Sequence, residues 1–500
     1  MERQRTVSIL DIAVIVLILV VAILLRTQLS YRTAFYDEAY NVYGGWQLLH
    51  GQETYAMLSH IGWQYLSLLP LGLADSVGGL EAARALNAIW GVLTVLVVMM
   101  TARRVYGVLA GHIAGAIFAV FGPAIFISTF ATHDSLSVLL ASLAIYLWVV
   151  ALSTDRGYLY ALGSLAMTAA VLTKYAAVMV ALFCLAYGVI VAIKAMTTVM
   201  SSDSDSVTIR LSKGISIKLV LALAPFVLLP LYAFIYRDQL IQLWQDQVII
   251  KRSLDPNIGW EILKSFIGYL WLPFLLGLLA LDWRKKRFYS FGFLVVGLSM
   301  MAYQWMNQDN TTLFKHTCYM LLGFAPLAAG GVVMTIQSLA GARLTRARLS
   351  IAISVLGLVV VGYLGVKGQQ MLPTLRGYWS DTTETMQYLR DNVQTGDVIL
   401  MEQGVIARYY LIAKGTPGRM PERVWDTWWY QDEEGQGSDV SLYERAVAQD
   451  RFDYIVFDYM MTGDLNNQLL ETMQGRYELV ATFPAFTNWD NRVDVFKGID

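Results

Sequence analysis

The run VSILDIAVIVLILVVAILL, Val7 to Leu25, is followed closely by YDEAY at positions 36–40. A segment of ~20 apolar residues crosses a bilayer as a helix. Asp37 and Glu38 therefore stand just past the first crossing, near the lipid–water boundary, where a carboxylate is costly unless solvated, paired or used. A candidate reaction centre at one membrane face follows, and the rest of the chain can be tested against it.

Composition agrees. The 500 residues are 56% hydrophobic and 15% charged, against about 25% charged in an average soluble domain. The net charge of -1 carries no nucleic-acid signal. The two cysteines, Cys184 and Cys318, lie in apolar runs and read as packing residues rather than a disulfide or metal site. The basic start, Met1 to Arg5, resembles a signal peptide, but no small-residue cleavage site follows, so the first run reads as a retained helix.

About eleven stretches reach spanning length at ~20 residues each. They are 7–25, 83–101, 108–130, 135–152, 158–173, 175–193, 218–236, 261–281, 288–304, 315–338 and 349–367, the 158–193 region being split at Thr173-Lys174-Tyr175. Alternate loops on one side hold Arg3 and Arg5, Arg103-Arg104, Arg156, Lys194 to Lys218, Arg284 to Arg287, and Arg343 to Arg348. Positive residues stay cytoplasmic. The N-terminus is thus expected inside, and an odd number of crossings places the C-terminal region outside. The other side collects Asp37-Glu38, His133-Asp134, Lys174, a long loop at 237–260, and Gln304 to His316.

The expected architecture is a polytopic α-helical membrane module, 1–373, with a first outer loop at 26–82, followed by an extracytoplasmic α/β domain at 374–500. In the latter a helix-like stretch, 380–393, precedes a turn at Thr395-Gly396-Asp397. Strand-like runs then follow at Val398–Met401, Tyr454–Phe457, Leu479–Phe483 and Val493–Phe496.

Several side chains suit chemistry at the outer face, and each has a plainer reading. Asp37-Glu38 opens an aromatic-rich loop with Tyr40, Tyr43, Trp46, His50, Tyr55 and Trp63, fit to lie along the interface. A helix N-terminus explains one acid of the pair, not both. Asp134 is either an N-cap or a functional acid, with His133 beside it at the interface. Lys174, inside apolar sequence, is a functional candidate by default, with snorkelling as the alternative. Arg84 runs against the positive-inside bias, with Glu81 as its plain partner. Lys315-His316 opens the tenth crossing with cations able to hold an anion or to snorkel. Asp203-Ser-Asp205 has a metal–diphosphate spacing but lies in a Ser-rich loop on the basic side and reads as solvated. No Walker loop, dinucleotide fingerprint, H-E-x-x-H or cysteine metal spacing is present, which disfavours nucleotide-driven enzymes and pumps.

These residues together resemble the polytopic GT-C glycosyltransferases of the protein O-mannosyltransferase and lipid A aminoarabinose transferase kind. Tyr36 to Tyr40, His50 to Tyr55, Arg84, Ala131 to Leu136, Leu172 to Tyr175 and Tyr319 to Pro326 carry the resemblance in order over about 1–340. The Asp37-Glu38 pair after the first helix is its most specific part. The sequence departs from the pattern at Ile61-Gly62-Trp63-Gln64-Tyr65, where the resemblance leads one to expect prolines.

The resemblance implies transfer of a sugar from a polyprenyl-phosphate donor to a glycan, lipid or protein acceptor outside the cytoplasmic membrane, without nucleic acid. It implies Asp37 as catalytic carboxylate supported by Glu38. From the residues themselves, Arg84, Lys174, Lys315 and His316 suit the donor phosphate, with His133, Asp134 and Tyr175 in support. No cofactor is expected to be required; Asp37-Glu38 with Asp134 admits a divalent cation. The competing class is a transporter or lipid flippase, which calls for charged groups near the bilayer midplane in paired, broken helices. A third is a sensor whose outer domain binds a ligand, with Trp425, Trp428, Trp429 and Tyr430 available to stack on sugars.

Overall fold

The computed structural model describes residues 8–30, 32–52, 64–154, 156–182, 184–185, 220–245, 256–284, 286–310, 312–340, 345–377, 379–433, 435–485 and 492–499. The chain forms two compact units. The first comprises Met1–Gln28, Ala56–Ser67 and Arg84–Leu372; the second comprises Leu29–Tyr55, Leu68–Ala83 and Pro373–Asp500.

In order, the helices of the N-terminal part are α1 (Ile9–Leu24), α2 (Tyr36–Leu49), α3 (Gln64–Tyr106), α4 (Val108–Val120), α5 (Gly122–Ser128), α6 (Asp134–Thr154) and α7 (Gly157–Thr173). After them come α8 (Leu228–Ile235), α9 (Arg237–Trp244), α10 (Ile258–Ala280), α11 (Arg287–Asn307), α12 (Leu313–Ala340) and α13 (Arg346–Arg376). Among the described residues, five helices are long and apolar enough to cross a membrane: those over 65–106, 134–154, 258–280, 313–340 and 347–376. The pair α4 and α5, bent by 64°, makes a sixth, and 9–24, 157–173 and 220–235 are shorter apolar helices. The outward residues of α1 and α13 are Ile9, Leu10, Leu17 and Leu24, and Ile351, Val355, Leu358, Val359 and Val366, all exposed. Such continuous apolar faces suit lipid, not water. The chain is a multi-pass membrane protein.

Within the first unit α12 is the central helix, with an almost fully buried run from Leu313 to Val333. Small residues let its neighbours approach: a Cβ on Gly331 would collide with the Leu276 carbonyl of α10, and one on Gly323 with the Phe293 carbonyl of α11. Close backbone approach at small residues is how helices pack without a hydrophobic driving force. The bend between α4 and α5 falls at Gly122-Pro123, where a Cβ on Gly122 would lie 2.8 Å from the Gly368 carbonyl oxygen of α13.

Most expected crossings coincide with these helices, and the split expected at Lys174 is there: α7 ends at Thr173, and Lys174 is extended (φ -149, ψ 119). The second crossing differs, because α3 starts at Gln64 and continues through a break at Gly78–Gly79, with Gly79 at φ 69. Glycine tolerates that left-handed turn, so the apolar stretch before it is helix rather than loop. Residues 183 and 186–193 of the expected 175–193 crossing, Asp203-Ser-Asp205, Tyr55, Ile61 to Trp63 and 246–255 of the outer loop lie outside the described residues.

The second unit holds a five-stranded sheet in the order β2-β1-β5-β7-β6. β1 (Val398–Met401), β2 (Arg423–Asp426) and β5 (Tyr454–Phe457) are parallel, with Leu400 beside both Trp425 and Ile455. β6 (Tyr477–Pro484) and β7 (Arg492–Gly498) close the sheet antiparallel, and β3 (Tyr430–Asp432) with β4 (Gly435–Gly437) forms a separate hairpin. Helices α14 (Thr383–Asn392), α15 (Gly404–Ala407), α16 (Val440–Ala448) and α17 (Gly463–Thr472) complete it. Leu400, Tyr443, Ile455, Phe457 and Leu469 form its core. β1 and β5 match the expected strands residue for residue, because four-residue apolar runs bounded by turn signals suit central parallel strands. α2 packs in this unit against α15 and the π-helical turn Arg408–Ala413 that follows it.

Candidate functional site

In the first unit the chemistry-bearing residues gather where α6 begins, α7 ends and α12 begins. Asp134 is the first residue of α6 and is buried. The Lys174 ammonium, placed by the extended residue that ends α7, is in direct contact with its carboxylate. The Thr132 hydroxyl donates to the same carboxylate at 3.1 Å. The segment before it is pinned by Asn87, one turn along α3 from Arg84, whose amide donates to the carbonyls of Phe130 and of Thr132 (2.9 Å).

Lys315 and His133 lie within electrostatic reach of Asp134, and His316 within reach of both Asp134 and Lys174. The cluster thus sets two ammonium groups and two imidazoles against one carboxylate. His316 is buried and contacts the Gln304 amide at 2.6 Å; Gln304 also donates to Thr312 at 3.1 Å. One turn deeper, the Tyr319 hydroxyl donates to Ser137 at 2.7 Å, and Ser137 to the Ala170 carbonyl at 2.9 Å, tying α12, α6 and α7 together. Tyr175 turns to the Tyr232 hydroxyl at 3.1 Å. Arg84 is fully buried.

Sequence reading passed over two buried charges in this unit. Asp11, within the first apolar run, pairs with Arg103 at 2.7 Å and His112 at 2.8 Å. Arg26, just beyond that run, donates to the carbonyls of Ala22 at 3.1 Å and Ala119 at 3.0 Å. The general cost of intramembrane charge was the signal available for both.

In the second unit α2 carries Asp37 and Glu38 in its first turn. Glu38 is fully buried, and its carboxylate accepts the Phe35 N–H at 3.1 Å. This is the reach-back half of a capping box. The second acid therefore has a structural duty that N-cap reasoning had not supplied, while Asp37 is half-buried, with its carbonyl accepting the Asn41 amide at 2.7 Å. Glu81, the plain partner expected for Arg84, accepts the Ser30 hydroxyl.

Other acids in this unit are equally engaged. Asp75 is buried and takes the Tyr409 hydroxyl at 2.6 Å and the Lys414 ammonium at 2.7 Å. Of the aromatics considered for sugar stacking, Tyr430 is buried in the core, and Trp425, half-buried, packs edge-on against it at 5.2 Å. Trp428 and Trp429 are 41% and 39% exposed on a turn whose N–H groups donate to Asp426.

Cys184 and Cys318 are both buried and unbridged. Among the described residues no three His, Cys, Asp or Glu gather to hold a metal ion.

The sequence profile of the dolichyl-phosphate-mannose-protein mannosyltransferase family matches residues 64–202. No curated protein matches the sequence. Among solved structures, the chain is similar to ArnT from Cupriavidus metallidurans in the apo state, at 14% identity over 97% of each chain and a TM-score of 0.54. The same ArnT bound to undecaprenyl phosphate gives the same identity, coverage and score. It is also similar to the oligosaccharyltransferase AglB from Archaeoglobus fulgidus in complex with an inhibitory peptide and a dolichol-phosphate. There the identity is 13% over 91% of this chain and 70% of that one, with a TM-score of 0.56. The helical membrane module and the C-terminal α/β domain together are the GT-C glycosyltransferase fold.

Proposed function

We propose that this chain is an integral-membrane glycosyltransferase that takes a sugar from a polyprenyl-phosphate donor and passes it to an acceptor on the extracytoplasmic side. The observation that carries the reading is the Asp134–Lys174–Lys315–His316 cluster at one end of the helices of a GT-C fold. A buried carboxylate offset by two ammonium groups, with a buried imidazole beside them, suits a lipid phosphate, whose leaving oxygen gains negative charge as the sugar departs. The similarity to ArnT bound to undecaprenyl phosphate and to AglB with dolichol-phosphate supports the same donor class.

In this reading the acceptor hydroxyl oxygen attacks the anomeric carbon, and the bond from that carbon to the phosphate oxygen breaks with its electron pair. Asp37 takes the hydroxyl proton, and the anomeric configuration inverts. Lys174, Lys315, His316 and Arg84 stabilise the departing phosphate. Asp134 fixes the Lys174 ammonium, with His133 and Tyr175 in support. Glu38 acts through the helix start it caps. The basic loops support a cytoplasmic N-terminus and a C-terminal domain outside the cell membrane.

The test is transfer of radiolabelled sugar from a polyprenyl-phosphate donor by the full chain in liposomes. Wild type is expected to transfer and Asp37→Asn to be inactive while inserting and melting normally. An active, well-folded Asp37→Asn variant removes the assignment. Solute uptake without sugar transfer favours a transporter instead.

A further inference from the structure

We infer that Tyr410, and the Asp75–Tyr409 pair, are positioning residues that hold α2, and with it Asp37, on the C-terminal α/β domain. The inference rests on the proposed role of Asp37 and adds the part of the chain that would aim it.

Among the described residues leading into α2, 27–30 and 32–35 lack regular structure, so their own backbone does not fix where α2 begins. Three ties do. The Ala34 N–H, on a residue 1% exposed, donates to the Tyr410 hydroxyl at 2.8 Å. The Thr33 hydroxyl accepts the Thr382 N–H at 3.1 Å and bonds the Thr382 hydroxyl at 3.0 Å. Phe35 meets Trp379 edge-on at 6.0 Å.

A second set of ties acts through the flank of α2. A Cβ on Gly45 would stand 2.7 Å from the Gly72 Cα, so α2 and the first rod of α3 touch backbone to backbone. That rod carries Asp75, buried, with the Tyr409 hydroxyl on one carboxylate oxygen at 2.6 Å and Lys414 on the other at 2.7 Å. Tyr409 and Tyr410 are neighbours on the π-helical turn Arg408–Ala413, their rings edge to face at 4.8 Å. One turn of the α/β domain thus grips the entry of α2 with one tyrosine and its supporting rod with the next. Single π-helical turns are rare and cluster at functional sites. A catalytic group displaced by about an ångström loses rate on the order of a hundredfold, so an acid on a short helix needs such a support.

The experiment uses the full chain in nanodiscs, comparing wild type, Tyr410→Phe and Asp75→Asn. Asparagine keeps the volume and one acceptor for Tyr409, so folding is retained, as the melting midpoint checks. Each variant is expected to speed hydrogen exchange of the amides of 36–49 about tenfold, since Tyr410→Phe strands the buried Ala34 N–H and Asp75→Asn removes the charge that holds Tyr409 and Lys414. Each is also expected to lower kcat for sugar transfer about tenfold, with KM for the polyprenyl-phosphate donor unchanged. Unchanged exchange in 36–49 overturns the inference, as does a rise in KM at constant kcat. A wild-type chain with no transfer activity overturns the glycosyltransferase reading instead, and exchange then decides the anchoring by itself.

Discussion

Glu38 accepts the backbone N–H of Phe35 at 3.1 Å, so the acid next to Asp37 is occupied with starting the helix that carries both. The two carboxylates are therefore expected to respond differently to the same change. Glu38→Gln keeps an acceptor for Phe35 and should retain most transfer activity. Glu38→Ala should cost about 1 kcal/mol, the usual worth of a cap. Asp37→Asn should abolish transfer without moving the melting midpoint. Sugar-transfer assays beside thermal melts of the detergent-solubilised chain decide it; a Glu38→Gln variant as dead as Asp37→Asn would show that Glu38 has a direct chemical part.

Lys174 and Asp134 meet inside the helical unit, with side chains 13% and 3% exposed. Removing one partner of a buried ion pair strands the other, at about 3–5 kcal/mol, whereas replacing both is often near neutral. Lys174→Met and Asp134→Asn should each lower the melting midpoint strongly, and the double variant should recover most of the loss. The recovered protein should still bind polyprenyl phosphate poorly, since the cluster has lost Lys174. Full donor affinity in the double variant would mean that the pair is purely structural.

The sequence made the membrane module, the break at Lys174 and the strands at Val398–Met401 and Tyr454–Phe457 legible, because hydropathy and turn residues act locally. It was less clear at Gly78–Gly79, where a helix resumes after a left-handed glycine, and at Glu38, whose partner is a backbone N–H that no composition signals. Contacts such as Asp75 with Tyr409, 334 positions apart, were out of reach. Asp75 looks like any loop acid until the chain folds. Lys174 and Asp134 were both visible as candidates, but their pairing depends on α6 and α7 packing antiparallel.

The Glu402–Asp458 pair, buried at the carboxyl ends of β1 and β5, gives a pH prediction. Glu402 accepts the N–H groups of Asp458, Tyr459, Met461 and Thr462 and the Asn466 amide. Burial, then the Glu402 charge, hold the Asp458 carboxyl well above the usual range. Against the upward push of burial, hydrogen bonds from Asp458 and from the Thr462 and Met461 N–H groups hold Glu402 below its usual value. Above an ordinary carboxylate value of about 4 the unfolded chain ionises Asp458 while the folded chain keeps its proton, so stability falls as pH rises toward the raised value. The Glu402 contribution runs the other way and is lost as pH falls through its depressed value. Asp458→Asn keeps a donor for Glu402 and removes that downward slope. It should lose less stability than wild type as pH rises above the ordinary carboxylate value of about 4, as thermal melts across that range would show. The same slope in both proteins would assign it elsewhere.

Gly45 and Gly72 offer the last test, because their backbones touch where α2 crosses the first rod of α3. A Cβ on Gly45 would lie 2.7 Å from both the N and the Cα of Gly72, and a Cβ on Gly72 2.7 Å from the Gly45 Cα. These atoms are backbone and have no rotamer to yield, so the helices must separate. Gly45→Ala and Gly72→Ala should each cost about 1–3 kcal/mol, the range for overpacking. Because the residues share one contact, the double variant should cost less than the sum. Helix propensity pulls the other way, favouring alanine by up to about 1 kcal/mol at such positions. A net stabilisation in either single variant would show that α2 and this rod are not in backbone contact in the membrane. Sugar transfer should fall more than melting implies if the crossing also fixes Asp37. That excess, read as loss of kcat at matched folded fraction, separates a displaced acid from a weakened fold.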